Sequence, residues 1–454
     1  MEETFCLLPL LSEYEQNNNN CYSSHIDIVM EDRLSQLPDE ILVSILSQLT
    51  LREAVRASSL SSRWRYLWMH VTRLNFDVIS KFPYKTRTNS DFLKKERLRN
   101  INCINQVLNL HTSHTLEEFN LCFPFENSFK YEIDKWLKLA SSKKFESLKL
   151  FLPVKYWLKH DRYSIPIELL NHGSGDASLF GFGALKSLTL ESIDVCNQVA
   201  NLFLSNCPLL EQLSIRYSRV LKHLEIGPSL KLKHLEIYLC EIDYLEICNA
   251  NLISFSFMGT EETNLRLENV SSVVNLQLKV FHGSLLRPVD LITTKFNQVV
   301  KLSLEANSLQ LRCLDFDHSF PKFNNLKWLI LTVGGATDNT PLGVTPFLQA
   351  SPYLEMFEIK IKWYDTRIYD RTIISLWFHS PFQHLKVVRY EGYLGGRADE
   401  EFTNYLLEYS LALEKFIISP FYDHKSSKVE RRARSRAWRQ LQGKFPQGVE
   451  LVIL

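Results

Sequence analysis

The residues of this chain that could do covalent or metal chemistry never fall into the patterns such chemistry needs. His111 and His114 share a helical spacing, but no carboxylate or thiol nearby completes a metal shell, so both are expected to be solvated surface histidines. Gly173, Gly175, Gly181 and Gly183 cluster in an insert running from Asp161 to Gly183. No Walker lysine follows them and no strand–loop–helix frame surrounds them, so a plain loop is expected rather than a phosphate cradle. The nine cysteines are odd in number and scattered, with no C-x-x-C spacing. That usage fits a reducing compartment where thiols pack as small hydrophobes, and it predicts no structural disulfide. No nucleophile elbow, zinc motif, nucleotide fingerprint or spaced carboxylate pair appears. The chain therefore reads as non-catalytic, with no cofactor and no metal.

What remains is binding chemistry, in two stretches. The first is a basic run of Lys425, Lys428, Arg431, Arg432, Arg434, Arg436 and Arg439. Val429, Ala433, Ala437 and Leu441 mark the other side of the same helix, which favours a solvated face over a nuclear-import or RNA-binding patch. The second stretch, Leu34 to Trp68, is denser in apolar residues. Pro38 suits a first helical position, and Asp39 and Glu40 favour the positive end of the helix dipole. Ile41, Leu42, Ile45, Leu46 and Leu49 then recur at helical spacing. Thr50 and Glu53 form a capping box that opens a second helix through Leu51, Ala54, Val55 and Ala57. Ser61 or Ser62 can cap a third, carrying Trp64, Leu67 and Trp68. About 35 residues of this composition cannot bury all their apolar surface internally. The surplus must face the rest of the chain or another protein.

Leu37-Pro38-Asp39-Glu40-Ile41-Leu42, followed by Leu60-Ser61-Ser62-Arg63-Trp64-Arg65-Tyr66-Leu67-Trp68, resembles an F-box. The plant form usually has Pro where this chain has Thr50 and Lys where it has Ser62; neither departure touches the apolar face. The resemblance implies a three-helix module that docks onto the Skp-type adaptor of a cullin–RING ubiquitin ligase. Leu37, Pro38, Ile41, Leu42, Ile45, Leu46, Leu49, Trp64, Leu67 and Trp68 are its implied adaptor-binding residues. Leu37-Pro38 and the Ile45/Leu46 turn would lie against the adaptor, with Trp64 bracing the module.

The chain has 454 residues, 45% of them hydrophobic, and a net charge of +1. That suits a soluble globular protein of two or more units, or one long repeat array, rather than a nucleic-acid binder with a global basic field. No apolar run approaches the roughly 18 residues of a membrane span. The short run Leu7-Leu8-Pro9-Leu10-Leu11 follows Glu2 and Glu3, not the basic residues a signal peptide carries. Residues 1–30, with Asn17 to Asn20 and little periodicity, read as disordered. Val71 to Asp77 alternates as a strand, and Phe92 to Leu110 reads as a helix with Phe92, Ile101, Ile104, Val107 and Leu108 on its apolar side.

One pattern then repeats: apolar, two others, apolar, one other, apolar. It begins at Leu116, Phe145, Leu185, Leu210, Leu221, Leu232, Ile242, Leu252, Val273, Val299, Leu326, Leu354, Leu385 and Leu413. These fourteen short strands predict a leucine-rich-repeat solenoid with a mostly parallel sheet; a β-sandwich of short strands is the alternative. The repeats are irregular, since the Asn or Cys usual at their ninth position is supplied only by Cys240 and Asn307. Between Leu210 and Val273 the pattern recurs every 10 or 11 residues, which predicts coils with strands on both faces.

The last eighty residues resemble a second family module. Phe382 to Gly392 runs as a strand into a turn, Asp399-Glu400-Glu401-Phe402 opens a helix through Tyr405, Leu406, Leu407 and Tyr409, and Leu413 starts the next strand. This block is similar to the FBD domain of plant F-box/leucine-rich-repeat proteins, although Tyr409-Ser410 stands where Asn-Ala is frequent. A final strand, Val449 to Leu454, would close the array. The expected fold class is α/β: a three-helix F-box, an irregular leucine-rich-repeat solenoid and a C-terminal FBD block. The expected bounds are 31–76 for the F-box, 77–184 for a linker helix and first repeats, 185–378 for the solenoid and 379–454 for the FBD domain. The resemblance implies a substrate-recognition subunit in the cytoplasm or nucleus. It would bind the Skp-family adaptor, through it a cullin scaffold and RING protein, and a target protein on the repeats, with no membrane partner. A repeat scaffold without ligase role is the rival, separated by adaptor binding; turnover of a small molecule would favour an enzyme.

Overall fold

The computed structural model describes residues 34–77, 90–153, 162–170, 181–228, 230–259, 262–280, 292, 294–306, 322–335, 341–363, 380–420 and 427–454. The expected tail, Gly173, Gly175, Asn307 and Lys425 lie outside them. The chain divides into two compact units: residues 1–224 with 230–232, and residues 225–229 with 233–454.

The first unit begins with α1 (Asp39–Leu46) and α2 (Leu51–Ala57), then a 3-10 helix at Trp64–His70. Pro38 is the cap residue before α1 rather than its first turn. Thr50 and Glu53 form the reciprocal capping box, with the Thr50 N–H donating to Glu53 Oε2 at 2.9 Å. The third element is not an α-helix and has no side-chain cap. Its Trp64, Leu67 and Trp68 are instead fixed by burial against α1 and α2.

The strands β1 (Arg73–Asp77), β2 (Glu118–Cys122), β3 (Ser147–Phe151), β4 (Ser187–Glu191) and β5 (Gln212–Arg216) follow, paired in chain order and all parallel. Parallel neighbours need a crossover. Helices α3 (Ser90–Leu110), α4 (Lys130–Ser141) and α5 (Asn197–Asn206) supply it after β1, β2 and β4, and 3-10 turns at Ile167–Leu169 and Gly181–Ala184 lie between β3 and β4. Leu74, Phe119, Leu148, Leu188 and Leu213 share one register position and are all buried. Val107 and Leu108 of α3, Ile133 and Trp136 of α4, and Val199 and Phe203 of α5 are buried as well. Each such side chain stabilises the fold by about 1.5–3 kcal/mol.

Past β6 (His223–Ile226), the second unit repeats the scheme with a change. Strands β7 (His234–Tyr238), β9 (Ser254–Gly259) and β11 (Asn275–Val280) pair with one another. The strands between them, β8 (Tyr244–Cys248) and β10 (Asn264–Glu268), pair separately. Each coil here carries strands on both faces, as the 10- to 11-residue spacing predicts. The array goes on with β12 (Lys301–Ala306), β13 (Trp328–Gly335), a short α6 (Thr345–Gln349), β14 (Met356–Trp363) and β15 (Val387–Glu391). It ends with α7 (Arg397–Tyr409), β16 (Lys415–Ser419), α8 (Ser427–Leu441) and β17 (Glu450–Ile453). Every pairing from β11 to β17 is parallel, which excludes the antiparallel sandwich.

All fourteen pattern matches start two residues before a strand. The additional strand β10 escapes the pattern because Glu262 stands where the first apolar residue belongs. The strand–helix–strand block at the end forms as expected, and one buried carboxylate organises it. Asp399 accepts hydrogen bonds from the Tyr390 hydroxyl, the Leu394 N–H at 3.1 Å and the Gly396 N–H at 3.0 Å, which fixes the start of α7. Gly392, at φ +89°, makes the turn out of β15; a Cβ there would collide with the Ile361 carbonyl oxygen.

Candidate docking site

Helical geometry sorts the apolar residues of the N-terminal module onto two faces. Leu42 and Leu46 sit one turn apart on the inner face of α1 and are buried, as are Trp64, Leu67 and Trp68. Ile41 and Ile45 sit one turn apart on the outer face and are 47% and 39% exposed. Pro38 precedes Ile41 by three residues on that outer side and is exposed, Leu37 is half-buried, and Leu49 is 42% exposed. The ten sequence-derived residues thus divide evenly. Leu42, Leu46, Trp64, Leu67 and Trp68 give the module its shape, while Leu37, Pro38, Ile41, Ile45 and Leu49 remain available to a partner. Leu34, Leu60 and Tyr66 are also exposed. Their isolation from the helical period of α1 left them without a periodic signal in the sequence.

The module is joined to the first repeat by polar contacts around β1. The Ser47 hydroxyl donates to the Val43 carbonyl at 2.8 Å and accepts the Thr72 N–H at 3.0 Å. Beyond it, His111 is buried, not solvated: its Nε2 lies 2.8 Å from the Val71 carbonyl oxygen. The residue caps α3 from a position where a surface histidine was expected, because the chain turns back there to meet the module. Burial is the main cause that pushes its pKa down to about 4, with the charges of Lys143 and His70 adding to it, against the bond to Val71. A neutral ring that donates through Nε2 satisfies this geometry, and His114 is exposed nearby. Among the described residues no group of three or more His, Cys, Asp and Glu side chains could hold a metal ion. None of the six described cysteines is held in a disulfide among the described residues. No described helix is long and apolar enough to cross a membrane.

The outward strand faces of the two units differ in chemistry. In the first unit the outward side chains mix short polar groups with charges, with Asn120 donating to Asn75 at 3.1 Å and Arg216 paired with Glu191 at 3.3 Å. In the second, longer charges form ladders across strands. Lys279 of β11 and Lys362 of β14 both bind Glu305 of β12. Lys360 of β14 binds Glu358 at 2.7 Å and Glu391 of β15 at 3.5 Å. Burial alone would raise Glu305, but the two lysines overcome it and hold its carboxyl below the usual range. The basic helix α8 buries Ala433, Ala437 and Leu441, while Arg434 pairs with Glu430 at 2.8 Å.

Comparison with known proteins agrees with this anatomy. Residues 107–443 match the family model described as the At1g61320/AtMIF1 LRR domain, and residues 34–75 match the F-box domain. The chain is similar to the F-box/LRR-repeat protein At3g03360 of Arabidopsis thaliana, with 26% identity over 385 residues, 76% of this chain and 74% of the relative. It is also similar to the F-box/FBD/LRR-repeat protein At1g13570 of the same plant, at 33% over 198 residues, 41% of this chain and 44% of the relative. The FBD-associated F-box protein At4g10400 of that plant matches at 30% over 198 residues, 41% of this chain and 46% of the relative.

Proposed function

The chain belongs to the plant F-box/FBD/leucine-rich-repeat family, and from that premise we propose that it is the substrate-recognition subunit of an SCF-type ubiquitin ligase. The helical module binds a Skp-type adaptor, which links it to a cullin scaffold and RING protein. The repeats hold a target protein. The chain supplies binding and placement; ubiquitin transfer is carried out by the other subunits, in the cytoplasm or nucleus.

The observation that supports this reading most directly is the outer face of α1. Pro38, Ile41 and Ile45 leave apolar surface in water on a module that already has a buried core of its own. Scattered apolar residues are normal on any surface, but three on one helical side, with Leu37 and Leu49 at its ends, make a continuous anchor of the kind interfaces rely on. Truncating such anchors costs about 2 kcal/mol, roughly thirtyfold in affinity. Leu37→Ala with Pro38→Ala should abolish adaptor capture and leave the circular dichroism of the chain unchanged. A folded double variant that captures the adaptor at wild-type strength would place the contact elsewhere. A wild-type chain that captures no adaptor from a full panel would replace the ligase role by that of a repeat scaffold.

A further inference from the structure

We propose that Arg63 is a positioning residue for adaptor docking: it latches the segment carrying Leu37 and Pro38 to the rest of the module. The proposal rests on the docking face described above. The Arg63 side chain is not part of the apolar face, and the sequence gives no periodic reason to connect it with residues more than twenty positions earlier. Yet its guanidinium meets that segment at three places. One terminal N–H donates to the Ser35 carbonyl oxygen. The other donates to the Leu37 carbonyl oxygen at 2.6 Å and to Asp39 Oδ1 at 2.8 Å, and Nε–H reaches the same carboxylate oxygen at 3.1 Å. Next in sequence, the Trp64 indole N–H donates to the Ser35 hydroxyl at 2.8 Å.

The segment needs such a latch. The Pro38 carbonyl accepts the Leu42 N–H at 3.1 Å and so opens the helical ladder, but the Ser35 and Leu37 carbonyls precede it, and a Leu37 N–H bond to the Leu34 carbonyl at 3.1 Å closes one turn within the segment. Left loose, Leu37 and Pro38 would have to be ordered when the adaptor binds, and that ordering weakens binding. The ion pair itself is not the point. Arg63 and Asp39 are 39% and 61% exposed, and attraction between such exposed charges is weak. What matters is the planar fork, which addresses two carbonyls and a carboxylate together. A lysine has the charge but only a point donor, so it cannot span them.

The test uses the full chain and a purified Skp-type adaptor, titrated calorimetrically. Arg63→Lys is expected to weaken binding about tenfold while the melting temperature stays unchanged. Leu37→Ala, costly in the wild type, should cost much less when Arg63 is already Lys, because the latch acts through Leu37. Amide exchange at Leu37 in the free chain should accelerate in the Arg63→Lys variant. Should that variant fold poorly, Asp39→Asn carries the same test through a smaller weakening, about threefold. Wild-type affinity in a folded Arg63→Lys chain, or strict additivity with Leu37→Ala, overturns the latch and leaves the docking reading intact. If the wild-type chain binds no adaptor, the docking reading fails, and unchanged exchange at Leu37 then removes the latch as well.

Discussion

The N-terminal module and the outward sheet face of the second unit spend their polar groups in opposite ways. In the module, Arg63, Thr50 and Ser47 bond to backbone groups, while Ile41, Ile45 and Leu49 face water. On the sheet, the apolar residues turn inward, and Lys279, Glu305, Lys360 and Glu391 face out, paired with one another across strands. The first surface offers exposed apolar area. The second presents a pattern of paired charges. Under the proposed function the first surface would meet the adaptor, and the repeats would meet the target.

Substitutions inside the two regions sharpen it. The largest effect is expected for Leu46→Ala, which empties a site only 1% exposed between α1 and its neighbours. A loss of about 3–4 kcal/mol in urea unfolding is expected. Ile45→Ala, one residue away on the outer face, should change stability by less than about 0.5 kcal/mol. Equal losses from the two would contradict the assignment of faces.

Next comes the joint between module and repeats. His111 is held neutral in the fold with a pKa of about 4, below its ordinary value of 6.5. The unfolded chain therefore takes up a proton before the folded one does. Stability is full above pH 6.5 and falls as the pH drops from 6.5 towards 4, by roughly 3 kcal/mol at the limit. Urea midpoints between pH 7.5 and 4.5 should show this slope, and His111→Gln should flatten it. On the sheet side, Gly392→Ala should cost about 2 kcal/mol in thermal unfolding, since its left-handed φ and the Ile361 carbonyl both oppose a Cβ. Glu305→Gln should cost about 1 kcal/mol, because it leaves the Lys279 and Lys362 charges adjacent without their carboxylate. Raising the salt should narrow that difference, whereas the Gly392 effect should not respond.

The repeats were legible because inward positions in a parallel coil demand apolar residues at fixed offsets, and Leu188 with Leu190 or Leu329 with Leu331 supply them. The same rule hid β10, whose Leu265 is only half-buried and whose leading apolar position is Glu262. The burial of His111 and the reach of Arg63 have a different origin. Both depend on where distant segments meet, the first at Val71 and the second at Ser35 and Leu37, and no local spacing encodes such meetings. On α1, periodicity placed the apolar residues but could not divide Ile41 and Ile45 from Leu42 and Leu46. That division follows from which side α2 and the 3-10 helix cover.

A small and local effect tests how the strand-backed coils close. Residues just past several strands adopt left-handed φ: Ser192, Tyr217, Leu239, Asn249 and Asn269. Non-glycine residues pay about 1–2 kcal/mol for this conformation, and asparagine tolerates it best. Asn249 and Asn269 follow β8 and β10, and the Asn269 amide donates to Asn249 Oδ1 at 2.6 Å, so the two turns are stacked and bonded. Leu239 follows β7 and keeps its turn by backbone alone, with its N–H donating to the Met258 carbonyl at 2.8 Å. Asn249→Leu removes the side-chain bond and adds strain, yet leaves every inward residue of the coil in place. A loss of about 1 kcal/mol is expected in urea unfolding, with faster amide exchange confined to the β8–β10 side. Exchange that accelerates equally through β12 to β17 would show that these turns govern the whole unit, and the picture of coils secured each by its neighbour would have to be given up.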